Sequence, residues 1–130
     1  MEKIALLCLF LATPLSAETL MTPEQFDEYT VGRTFSYGLK STPYGAEEYL
    51  PGRRVRWSFL DGHCIDGEWF VELDLICFVY EADLSPQCWS FYLDDGRMVA
   101  RFENDPAATT LYELNQSQQS LYCLGPDVGA

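Results

Sequence analysis

The stretch Arg53 to Glu103, RRVRWSFLDGHCIDGEWFVELDLICFVYEADLSPQCWSFYLDDGRMVARFE, decides the fold, and it holds all three tryptophans and the only histidine of the chain. Apolar residues recur at every second position, the period of a strand with one buried face. Val55, Trp57 and Phe59 face one way, against Arg54, Arg56 and Ser58. Trp69, Val71 and Leu73 line the apolar face of the next strand, His63 to Leu73, in which Gly67 suggests a bulge or close crossing. Leu75 to Tyr80 is apolar almost throughout and reads as a central strand. Trp89, Phe91 and Leu93, then Met98, Ala100 and Phe102, repeat the alternation. Asp61-Gly62 and Asp94-Asp95-Gly96 are hairpin signals, because these residues tolerate the positive φ of tight turns. Glu81 to Gln87, with Ser85-Pro86, reads as a loop.

Outward from this block the pattern continues. Thr34 to Leu39 alternates with Phe35, Tyr37 and Leu39 on one face. Lys40 to Ala46 reads as a loop, and Glu47 to Leu50 as a short strand before the Pro51-Gly52 turn. Thr22-Pro23-Glu24-Gln25 opens a helix of about two turns: Thr22 caps, Pro23 suits the first helical position and Gln25 completes a capping box. Phe26 and Tyr29 form its apolar stripe, Met21 staples it and Gly32 ends it. Downstream, Thr110 to Leu114 is a last strand and Asn115 to Ser120 a polar loop. The expected fold is mostly β: a small antiparallel lipocalin-like barrel or half-barrel of seven to eight short strands, with one short N-terminal helix.

Residues 1–17 have the features of a secretory signal peptide, with Lys3 before the apolar run Ile4 to Leu11 and small residues at Ser16-Ala17. The apolar run is too short to span a membrane, which takes about 20 residues. Cleavage is expected after Ala17, leaving one domain over 18–130 that is periplasmic or secreted. Of the five cysteines, Cys8 falls in the leader. Cys64, Cys77, Cys88 and Cys123 make an even set, which in an exported chain implies two disulfides. If Tyr80 pairs near Ser85, Cys77 falls opposite Cys88 and Cys64 is left for Cys123, the preferred pairing. The competing arrangement joins Cys64 to Cys77 and Cys88 to Cys123. The formal charge of −12 argues against nucleic acid and anionic membrane surfaces, which reward basic patches. It permits a cationic partner, or simply keeps the chain soluble.

In order along the chain, Val31-Gly32-Arg33-Thr34, Tyr49-Leu50-Pro51-Gly52-Arg53-Arg54-Val55-Arg56-Trp57, Gly67-Glu68-Trp69, Ile76-Cys77-Phe78-Val79-Tyr80 and Gln87-Cys88-Trp89 form a pattern covering roughly Glu24 to Glu103. The pattern resembles a group of small, functionally uncharacterised secreted proteobacterial proteins. The resemblance implies an exported lipocalin-like β fold and a Cys77–Cys88 bridge, and no activity.

Candidate functional residues are few. His63 lies near Asp61 and Asp66, but one histidine and two carboxylates are not the ligand set of a zinc site. With both disulfides formed no thiol is free for nucleophilic chemistry, and no Gly-x-Ser-x-Gly elbow is present. No catalytic residue, metal or cofactor is therefore expected. Arg54, Arg56, Arg97 and Arg101, with Arg53, offer a possible ligand or partner face for a carboxylate or anionic glycan. The plainer reading is cross-strand pairing with Glu68, Glu72 or Glu103. Trp57, Trp69, Trp89, Phe59, Phe78, Phe91 and Tyr80 face inward and read chiefly as core, with a ligand cavity as the alternative. Glu47, Glu48, Tyr44 and Tyr49 are weaker candidates for a rim or contact surface. The expected function is that of an exported, non-catalytic binding or accessory protein for a small ligand or another protein. The alternative is an inhibitor that binds a cationic hydrolase such as lysozyme through its acidic surface.

Overall fold

The computed structural model describes residues 8–12, 18–105, 107 and 109–124. Of the expected leader only 8–12 is described, exposed and without regular structure; the rest of it, with the cleavage point after Ala17, lies outside the described residues. Among the described residues nine strands form: β1 (Thr19–Leu20), β2 (Thr34–Leu39), β3 (Thr42–Leu50), β4 (Arg54–Ser58), β5 (Ile65–Glu72), β6 (Leu75–Tyr80), β7 (Asp83–Asp94), β8 (Arg97–Phe102) and β9 (Thr110–Ser117). From β2 to β9 each strand pairs antiparallel with the next, and β9 pairs back onto β2, which closes an eight-stranded up-and-down barrel. β1 lies outside that ring, beside the end of β7, with Thr19 opposite Leu93. Closure leaves the start of β7, before Trp89, as the one stretch of its length without a β8 partner, and otherwise gives the expected barrel in its closed form.

The helix α1 (Pro23–Thr30) closes one end. Its capping box forms as the residues suggest, with the Gln25 N–H donating to Thr22 Oγ1 at 3.1 Å and the Thr22 N–H to Gln25 Oε1 at 2.9 Å. Phe26 is fully buried. Its ring centroid lies 4.5 Å from Phe91, 5.2 Å from Trp69 and 5.5 Å from Tyr49, so one side chain plugs the barrel by joining strands from three walls. Gly32, at φ +76°, turns the chain into β2 and donates its N–H to the Tyr49 carbonyl at 2.8 Å. The turns at 51–53, 73–74 and 95–96 share this closed end. The connections at 40–41, 59–64 and 81–82, and the end of β8 and start of β9, stand at the other.

Several local expectations change. Lys40–Ala46 is not a loop: β3 starts at Thr42 and carries Pro43 beside a bulge and Gly45 under the Trp57 indole, where a Cβ would come within 2.2 Å of the ring. β7 likewise runs through Pro86. Its first residues, 83–88, have no β8 partner on one side, and an unpaired flank tolerates the missing N–H. Asp61-Gly62 is not a two-residue hairpin, because β4 ends at Ser58 and Trp57 pairs with Ile65. The connection 59–64 is instead tied to the C-terminal segment, through Cys64–Cys123 and through the Leu124 N–H to the Gly62 carbonyl. Leu73 does not line an apolar face. It is 89 % exposed and, with Asp74, forms a two-residue turn at positive φ. Asp95-Gly96 is the expected tight turn, both at positive φ, with Asp94 paired to Arg97. β9 runs on to Ser117, taking the first half of the expected loop.

Both preferred disulfides are present, Cys77–Cys88 as a directly opposed cross-strand pair and Cys64–Cys123. Two disulfides indicate an oxidising, extracellular or periplasmic environment. No helix among the described residues is long and apolar enough to cross a membrane.

Candidate functional site: an aromatic cavity with a buried carboxyl

Eight strands enclose an interior just wide enough to be filled by side chains or to hold one small ligand. Here the two halves differ. Toward the closed end Phe26, Phe35, Trp69, Met98 and their neighbours pack solidly. Toward the open end a cavity of about 150 Å³ remains, lined by residues that include Tyr44, Trp57, Phe59, Phe78, Tyr80 and Trp89, with Tyr37 and Tyr49 deeper in and Asp83 and Gln87 beside it.

Two glycines let the walls form. Gly45 accommodates Trp57, and Gly67 accommodates Tyr80, whose ring a Cβ at that position would meet at 2.7 Å. The indole of Trp57 meets Phe59 edge-on at 5.4 Å, and Tyr44 meets Phe59 in the same way at 5.8 Å. Phe78 and Tyr80 stand parallel at 6.3 Å. Tyr44 and Phe59 are 37 % and 53 % exposed and mark the mouth. The inward tryptophans thus divide: Trp69 is core, whereas Trp57 and Trp89 border the cavity.

The polar groups of the interior are few and almost all satisfied. Tyr37 and Tyr49 hydroxyls share a hydrogen bond at 2.7 Å. Tyr80 donates to Glu47 Oε1 at 2.7 Å. Glu47 hangs from the same inward face of β3 as Tyr49, directly opposite Trp57 in the β3–β4 ladder, and is 2 % exposed. Its Oε2 has no hydrogen-bond partner, the one such buried side-chain nitrogen or oxygen among the described residues. Burial pushes the Glu47 carboxyl up to about 8, against the pull of the Tyr80 hydrogen bond. Burial likewise lifts Tyr37, Tyr49 and Tyr80 well above the ordinary value of 10. Glu113, at the closed end, makes the contrast. It accepts from the Tyr29 hydroxyl at 3.0 Å, the Met98 N–H at 2.7 Å and Gln116 Nε2 at 3.1 Å. The Tyr29 hydroxyl is pushed up to about 12, by burial first and then by Glu113.

The expected rim of Glu47, Glu48, Tyr44 and Tyr49 is therefore corrected for all but Tyr44. Glu47 and Tyr49 face inward. Glu48 faces outward but is buried beneath the C-terminal segment, where Glu48 Oε1 accepts the Leu121 N–H at 3.2 Å.

The four arginines do not converge on one face. Arg54 and Arg56 lie on β4, Arg97 and Arg101 on β8, and these strands are four places apart in either direction around the ring. Arg56 pairs with Asp66 at 2.7 Å and approaches Glu48 at 3.9 Å. Arg54 donates to the Pro51 carbonyl at 3.3 Å. Both border a groove that also carries Asp66, Glu68 and Glu81, a poor seat for an anion. Arg101 pairs with Glu18 at 2.6 Å and lies over Tyr92, and Arg97 opens β8 opposite Asp94. His63 gains no acid–base partner: Asp61 Oδ1 accepts the His63 backbone N–H at 3.0 Å, and Asp66 is engaged with Arg56. Among the described residues the one group of three potential metal ligands is Glu72, Cys77 and Cys88, whose sulfurs are joined in a disulfide and offer no thiolate.

No protein-family model, curated protein or solved structure matches this chain.

Proposed function

We propose that the protein is an exported, non-catalytic carrier or receptor for a small organic molecule, held in the open half of the barrel. The observation that supports this is the aromatic cavity of about 150 Å³ in the open half of the barrel, with Asp83 and Gln87 in its lining. A cavity of about 150 Å³ is the size that takes a benzene ring, well below the roughly 300 Å³ and more of drug-sized pockets. The ligand is accordingly a single-ring or short branched apolar body, or the end group of a larger molecule that leaves between Tyr44 and Phe59. The two disulfides and the leader-like residues 1–17 accord with action outside the cytoplasm. Nothing brought together in the cavity amounts to a nucleophile with its base, so binding rather than turnover is the reading.

Thermal denaturation of the intact protein against a library of single-ring and short aliphatic compounds tests the proposal. A ligand at one hundred times its Kd adds about 2.7 kcal/mol, roughly 10 °C in Tm for a domain of this size. A library without a single stabilising compound would overturn it.

A further inference from the structure

The geometry points to a neutral single-ring compound carrying a hydroxyl group as the ligand, its ring among Trp57, Phe78 and Trp89 and its hydroxyl between Asp83 and Gln87; this rests on the cavity being a binding site. The polar side of the cavity is a consequence of strand register. β7 takes four steps from Asp83 to Gln87 while β6 takes two from Phe78 to Tyr80, so the bulge there sets Gln87 opposite Phe78 and Asp83 opposite Tyr80. Directly opposed residues share a face of the sheet, and all four line the cavity. The Phe78 and Tyr80 rings stand parallel with centroids 6.3 Å apart, as two residues along a strand are roughly 6–7 Å apart. Gln87 and Asp83 thus face positions close enough for one hydroxyl to bond both, at about 2.8 Å each.

Both groups are open to a ligand. Gln87 is half-buried, and among the described residues its side-chain amide has no hydrogen-bond partner. Asp83 Oδ1 accepts the Ser85 N–H at 3.0 Å, which leaves Oδ2 to accept. Deeper in, the hydroxyls of Tyr37, Tyr49 and Tyr80 are already engaged, and the rest of the lining is aromatic or aliphatic. The ligand is therefore polar at one end only. A carboxylate accepts and carries the charge of Asp83, so Asp83 repels it, and the lining holds no lysine, arginine or histidine to offset that. A carbonyl only accepts, which suits the Gln87 N–H but sets its lone pairs against Asp83. An ammonium gains little from Asp83, which is exposed, so the screened pair offsets only part of the cost of its lost hydration. A hydroxyl donates to Asp83 and accepts from Gln87, and sheds its water more cheaply.

Four probes of similar size decide the matter: benzyl alcohol, benzylammonium, benzoate and toluene, titrated calorimetrically into the intact protein at about pH 7.5. Benzyl alcohol is expected to bind at least tenfold more tightly than benzylammonium, with benzoate showing no heat of binding. Gln87→Leu and Asp83→Ala are each expected to lower the affinity for benzyl alcohol about fivefold relative to that for toluene, the loss of one hydrogen bond. If benzylammonium or benzoate binds as tightly as benzyl alcohol, or toluene binds and benzyl alcohol does not, the hydroxyl assignment falls and the cavity reading stands. If neither variant changes the ratio of benzyl alcohol to toluene, the roles of Asp83 and Gln87 fall. If none of the four binds, the cavity reading falls as well. The comparison of probes on the unaltered protein stands even if a variant does not fold.

Discussion

Replacing Glu47 by glutamine removes a buried carboxyl whose ionisation the fold opposes, and its effect on stability must depend on pH. The carboxyl sits at about 8 in the folded barrel against an ordinary 4.5. That gap corresponds to about 5 kcal/mol, a ceiling, because water entering by the open end relieves part of it. The direction follows from proton counting. Between about pH 4.5 and pH 8 the folded barrel keeps the Glu47 proton while the unfolded chain has lost it. The unfolded state then binds fewer protons, so stability falls as pH rises through this window, and the full loss is reached above about pH 8. Glutamine titrates nowhere in this range. It leaves a fixed cost of about 1–3 kcal/mol, since the amide oxygen can accept from Tyr80 but the amide N–H donors are buried where Oε2 has no partner. Urea unfolding followed by circular dichroism, with disulfides intact, at intervals from about pH 4 to about pH 9 measures both proteins. The wild type is expected to lose several kcal/mol relative to Glu47→Gln across that range, the curves diverging mostly between about pH 5 and 8. Parallel curves would refute the reasoning, because a carboxyl that ionises as readily folded as unfolded is not enclosed.

Other outcomes follow from the same structure. Gly45→Ala places a Cβ against the Trp57 indole; it is expected to cost about 1–3 kcal/mol and to abolish small-ligand binding, measured by denaturation and titration. Phe26→Ala unplugs the closed end and is expected to cost about 3–5 kcal/mol, read as a fall in Tm without loss of the disulfides. Replacing both Cys64 and Cys123 by serine opens a link of sequence separation 59 and is expected to cost about 4 kcal/mol; the Cys77–Cys88 link, of separation 11, is expected to cost about 3 kcal/mol.

Much of the barrel was legible because alternation survives in nearly every strand. The capping box at Thr22 and the Asp95-Gly96 turn are written in residues whose local chemistry admits few alternatives. The Cys77–Cys88 pair was reached from a hairpin with Tyr80 near Ser85; Tyr80 in fact pairs with Asp83, and a bulge between Phe78 and Tyr80 sets Cys77 opposite Cys88. The site was harder to read. Pro43 and Gly45 are breakers by residue type, which places the expected start of β3 at Glu47. With the strand cut short, Glu47 and Glu48 were adjacent acids with nothing to tell them apart. Extended to Thr42, the strand puts Gly45, Glu47 and Tyr49 on one face, a signal available had the breakers been read as space for Trp57. What separates Glu47 from Glu48 is long-range: barrel closure encloses one and the C-terminal segment covers the other. Whether the tryptophans fill or line the interior depends on Gly45 and Gly67, which shape its open half. The arginines were correctly placed outward, but only the order of strands around the ring shows that β4 and β8 stand on opposite walls.

The central claim is that the open half of the barrel receives a small ligand, and the three tryptophans carry its most direct test. Trp57 and Trp89 border the cavity, while Trp69 lies at the closed end, 5.2 Å from Phe26 and beneath the Arg53 guanidinium. In a two-dimensional proton–nitrogen NMR titration with benzyl alcohol, and with toluene in parallel, the indole N–H signals of Trp57 and Trp89 are predicted to move in a saturable way while that of Trp69 holds still. Signals that all stay in place with both probes, or that move only at Trp69 or on the outer wall, would contradict the account.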